Sequence, residues 1–132
     1  MIYDISKFFG VLAFICIIFA ISRYILPLNI VKKYDRWGIT KIIMPYILKY
    51  HKYAGILAVI FAIFHVVGLF SYLYDGEIFT KIGLAAFIML LIVAIAGMFL
   101  KKLPIQYKKQ GFKTHMFLGI TVFILVLLHL AL

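Results

Sequence analysis

The four histidines of this chain form two pairs with a single spacing: His51 and His65, then His115 and His129, each pair 14 residues apart. In each pair a glycine, Gly55 or Gly119, follows the first histidine by four places. On an α-helix that interval rises about 21 Å and falls roughly 40° short of whole turns, so both imidazoles share one helix face. Two such helices side by side would offer two bis-histidine sites at different depths. Zinc or copper held by histidine wants three or four ligands in one cluster. Pairs separated by about 21 Å along a helix form no such cluster. Two trans imidazoles in an apolar slot suit haem iron, and with both axial positions filled such iron transfers electrons. The expectation is two non-covalent haem b groups, with His51, His65, His115 and His129 as axial ligands. No Cys-x-x-Cys-His attachment motif is present, and the lone Cys16 sits in an apolar run.

The neighbours of these histidines add candidates. Gly55 and Gly119 lie on the ligand face, where a side chain would collide with a porphyrin; close helix packing is the other use of glycine in a membrane. Gly68, three past His65, offers similar clearance at the outer site. Gly83 and Gly97, also 14 residues apart, would let their helix approach both haem edges or pack closely on its neighbours. Lys52 and Lys113 flank the inner histidines and would meet haem propionates or snorkel to the headgroups.

The elements that must position these residues are membrane spans. Of the 132 residues 67% are hydrophobic, far above a soluble domain, and the mean hydropathy is +1.16. Four apolar runs predict helices over about 3–26, 48–73, 79–100 and 112–132, an all-α up-down transmembrane bundle in one domain. The first run is read as a retained helix rather than a signal peptide: no small-x-small cleavage site follows it, and the basic cluster comes after it. Residues 35–47 read as an interfacial amphipathic segment broken near Pro45. Trp37, Tyr34, Tyr46, Tyr50 and Tyr53 supply an aromatic belt.

Lys and Arg number 14 against 4 Asp and Glu, a net charge of +10. The charges fall between apolar runs, which points to topogenic loops beside anionic lipid rather than to nucleic acid. Two loops, around residues 23–52 and 101–113, hold nearly all of them, whereas Lys7 and Lys81 stand on the other side with a short acidic turn at 74–77. Both basic loops should be cytoplasmic and both termini outside, in a plasma membrane expected to be prokaryotic. The second and fourth helices then run the same way, which levels His51 with His115 and His65 with His129.

His-Lys-x-x-Gly-x9-His on the second helix and His-x3-Gly-x9-His on the fourth resemble the haem-ligand helices of the ferric reductase-like transmembrane family. That group includes ferric reductases, NADPH oxidases and the haem subunit that partners periplasmic methionine sulfoxide reductase. The layout is also similar to the four-helix haem bundle of respiratory cytochrome b, in which Gly83 and Gly97 would correspond to glycines on the intervening helices. The resemblance covers helices two to four, about 85 residues, and implies axial ligation by the four histidines and electron transfer across the membrane. The chain departs from complete ferric reductases in having no flavin- or nicotinamide-binding domain. It departs from cytochrome b in lacking the later helices and the quinol-site loop. It therefore reads as an electron-transfer subunit of an oxidoreductase, alone or in a larger complex, with no complete catalytic domain. A separate flavoprotein or quinol would be its donor, and ferric iron, a redox protein or a reductase its outer-face acceptor. The rival is a haem-free small transporter or assembly scaffold that uses its histidines as polar contacts between helices.

Overall fold

In lipid an apolar run must satisfy its own backbone, and a helix does so within one segment. The computed structural model describes residues 2–28, 33–35, 38–70 and 78–132. Its four long helices are α1 (Ile2–Ile25), α2 (Ile39–Gly68), α3 (Ile78–Leu100) and α4 (Ile105–Ala131). Each is long and apolar enough to cross a membrane, and the described residues contain no strand. The acidic turn at 74–77 and the belt residue Trp37 lie outside the described residues.

The helices pack as two antiparallel hairpins, α1 on α2 and α3 on α4, which face each other through lighter contacts. Small residues explain the closeness of the first hairpin. Ala54, Ala58 and Ala62 of α2 are buried, as are Ser6, Ala13, Ile17 and Ile21 of α1. Ile17, Ala58, Leu90 and Val122, one from each helix, belong to a single apolar core. Ala58 stands midway between His51 and His65 in the sequence, and Val122 midway between His115 and His129. A packed apolar layer therefore separates the two histidine levels. Cys16 packs against this layer.

Two helices start earlier than their hydropathy suggests. α2 begins at Ile39 and runs through Pro45, so most of the expected interfacial segment is its first turns. The reason is an acidic cap. Asp35 accepts hydrogen bonds from the backbone N–H of Ile39 and of Thr40, both at 2.8 Å, and from the Thr40 hydroxyl. These satisfy donors that a helix start otherwise leaves orphaned. Pro45 removes one donor near this end and does not break the helix. α4 likewise begins at Ile105, directly after Pro104, so Lys108, Lys109 and Gly111 lie on its first turns and not in a loop. At Gly111 the tips of the Leu103 and Leu100 side chains come close, and a Cβ would stand 2.6 Å from Leu103 Cδ1 and 2.9 Å from Leu100 Cδ2. The chain after α3 folds back against α4 there.

Candidate functional site

Each histidine-bearing helix packs on a neighbouring scaffold helix, α2 on α1 and α4 on α3. Nδ1 of His65 lies 2.8 Å from the Ser6 carbonyl, and Nδ1 of His51 lies 3.0 Å from the Ala20 carbonyl. The two acceptors on α1 are themselves 14 residues apart, so α1 matches the histidine interval of α2 in reverse order. A carbonyl only accepts, so Nδ1 must carry the proton in both rings. The neutral imidazole then keeps its lone pair on Nε2, the form a metal binds. On the other hairpin, His115 is buried and its Nδ1 is out of hydrogen-bonding geometry. The carbonyl it faces is that of Val93, four residues before Gly97.

Glycines on the scaffold helices make room for the rings. A Cβ at Gly10 of α1 would stand 2.8 Å from Nδ1 of His65. On α3, a Cβ at Gly83 would stand 2.7 Å from Cε1 of His129, and one at Gly97 would stand 2.9 Å from Cε1 of His115. Gly83 and Gly97 thus clear space for the α4 imidazoles themselves, which is the close packing on a neighbour that the sequence offered beside an approach to haem edges. A Cβ at Gly68 would collide with the hydroxyl of Ser6, the residue whose carbonyl faces His65. At Gly55 and Gly119, by contrast, a Cβ would meet no atom within 4 Å.

The two hairpins bring the histidines together level by level. The rings of His51 and His115 have centroids 6.1 Å apart, and those of His65 and His129 are 6.3 Å apart, with planes at 83° and 73°. A metal–imidazole bond of about 2 Å on each side, plus half the width of each ring, places two trans imidazole centroids about 6 Å apart. Edge-to-face aromatic contact falls in the same range, so the distance does not choose alone. At the α2 rings, a proton on Nδ1 leaves an Nε2 lone pair that could accept a hydrogen bond or bind a metal. Among the described residues no three or more His, Cys, Asp or Glu side chains gather into a metal-holding group. Among the described residues each level offers a metal one pair of histidines.

No family model, curated protein or solved structure matches this chain. The site therefore rests on its own geometry.

The remaining candidates, Lys52 and Lys113, are exposed. Sequence reasoning passed over Gly10 and the Ser6 and Ala20 carbonyls. No signal in the sequence could have found the two carbonyls, although the pair repeats the spacing of the histidines. Backbone acceptors leave no mark on residue type.

Proposed function

We propose that this chain is a di-haem cytochrome b that passes single electrons across a membrane, as a subunit between a separate donor and an outer-face acceptor. One observation carries the reading: two pairs of histidines, level with each other on parallel helices, at the separation two trans imidazoles need. His51 and His115 would hold the inner haem, and His65 and His129 the outer. Bound there, each haem would supply a reversible one-electron couple with no open coordination position. The Ser6 and Ala20 carbonyls orient the α2 imidazoles and hold their protons on Nδ1, which makes Nε2 the better donor. Gly10, Gly83 and Gly97 let the scaffold helices approach without displacing the rings. The layer of Ile17, Ala58, Leu90 and Val122 keeps water from the space between the levels. Gly55 and Gly119, with open space beside them, suit a flat group lying against the ligand face.

The same four histidines carry the likeness to the ferric reductase-like helices. Within the reading, both basic loops, at one end of the bundle, face the cytoplasm and the termini face outside. The donor is a quinol or flavoprotein, and the membrane is a prokaryotic plasma membrane. The first test is spectroscopic. Purified in detergent, the protein should show a dithionite-reduced b-type spectrum and two haems per chain. His51→Ala and His115→Ala should remove the same potentiometric component, and His65→Ala and His129→Ala the other. A colourless protein that folds normally would sink the proposal and leave the histidines as interhelical polar contacts.

A further inference from the structure

Arg23 and Tyr24, near the end of α1, stand beside the inner histidine pair and have no use in the ligation just described. The Tyr24 ring meets the His51 ring edge-on at 6.0 Å and the Phe112 ring at 5.7 Å. The Arg23 guanidinium lies 5.3 Å over Phe112 and 6.0 Å over Tyr24. The Tyr24 hydroxyl is buried and has no hydrogen-bond partner among the described residues. The acidic residues described, Asp4 and Asp35, belong elsewhere: Asp4 is in the first turn of α1, and Asp35 caps α2. Among the described residues, neither the half-buried guanidinium on its aromatic shelf nor the phenol beside it has an acidic partner. Guanidinium groups bind carboxylates in bidentate fashion, and the geometric match is better than an ammonium offers.

We propose that Arg23 and Tyr24 form the carboxylate-binding end of the inner site, the guanidinium and the phenol hydroxyl both donating to a propionate of the haem that His51 and His115 hold. This rests on the haem reading, since haem b brings two propionates. It moves the role away from Lys52 and Lys113, which are exposed. It also makes the two levels unequal, because this cation and this phenol belong to the inner one alone. A positive charge beside the inner haem favours its reduced form.

The experiment is a redox titration of the purified membrane protein, with the inner component identified by its loss in His51→Ala. Arg23→Gln should lower the inner potential by about tenfold in the one-electron equilibrium, ~59 mV, or release the inner haem alone. Tyr24→Phe should shift the same component in the same direction by less. The double variant Lys52→Gln, Lys113→Gln should leave it in place. If Arg23→Gln does not accumulate, Arg23→Lys decides: the charge stays but the bidentate fork is lost, so the inner haem should be held less completely while the outer one is unchanged. The proposal is overturned if the inner potential and haem content survive in Arg23→Gln, or in Arg23→Lys where that is the variant available. It is also overturned if both components move equally, or if the lysine variant matches the arginine one. A wild type without haem would end the cytochrome reading itself, before any variant is compared.

Discussion

A methyl group added at Gly10 would stand 2.8 Å from Nδ1 of His65, and one at Gly83 would stand 2.7 Å from Cε1 of His129. The outer pair is therefore held between two glycines, one from each scaffold helix. Gly10→Ala and Gly83→Ala should each cost about 1–3 kcal/mol through overpacking and displace an outer imidazole. On the proposed cytochrome reading, the outer haem component should broaden or shift in titration while the inner one stays. Gly55 and Gly119 make the informative contrast, because a Cβ at either meets nothing in the protein within 4 Å. Gly55→Leu and Gly119→Leu should leave helix content and melting nearly unchanged and yet lower inner haem occupancy. Any such loss must come from a group the chain alone does not supply. Full haem content in both leucine variants would show that the open space serves something else.

At the scale of one element, the start of α2 depends on Asp35. The Thr40 hydroxyl, then the backbone N–H groups of Thr40, Ile39 and Gly38, hold its carboxyl below the ordinary carboxylate range. A carboxyl whose folded value is depressed stabilises the fold fully above its unfolded value. That contribution is lost as the pH falls through the lowered folded value. Acidification through and below the ordinary carboxylate range should therefore fray the first turn of α2 and leave the histidine levels intact. Hydrogen exchange at the amides of Ile39 and Thr40 would report it. Asp35→Ala should show the fast exchange at all pH values, and a wild type whose protection is flat down to strongly acidic pH would refute the cap's role. The cap also explains how an amphipathic segment containing Pro45 joins a membrane helix, since the helix is nucleated before the proline is reached.

The whole molecule exposes its large apolar side chains on every helix: Phe8 and Ile15 on α1, Phe64 on α2, Ile92 and Phe99 on α3, Phe117 and Leu127 on α4. In water such a surface would aggregate; in a bilayer it meets the acyl chains. The up-down connectivity puts Lys41, Lys49 and Lys52 at the same end of the bundle as Lys101, Lys102, Lys108 and Lys109, with Lys7 and Lys81 at the other. If the basic end is cytoplasmic, Lys102→Cys in a Cys16→Ser background should react with an impermeant maleimide only after cell lysis. Tyr3→Cys in that background should react in intact cells. The opposite labelling pattern would invert the bundle.

The four spans, their order and the matched histidine intervals follow from the sequence alone, because hydropathy and a fixed rise per residue act along one chain. The all-α bundle and the level pairing of His51 with His115 and His65 with His129 were legible for that reason. The starts of α2 and α4 were not. A cap from Asp35 and a fold-back at Gly111 are contacts between residues, and hydropathy does not record them. Nor was the split of glycines legible: Gly10, Gly83 and Gly97 against imidazoles, Gly68 against Ser6, Gly55 and Gly119 against open space. A glycine is one letter in every case, and only the packing of two hairpins decides what stands opposite its missing side chain. The Ser6 and Ala20 carbonyls and the place of Arg23 and Tyr24 belong to the same class. They depend on how α1 is rotated against α2, and side-chain packing between the helices sets that rotation.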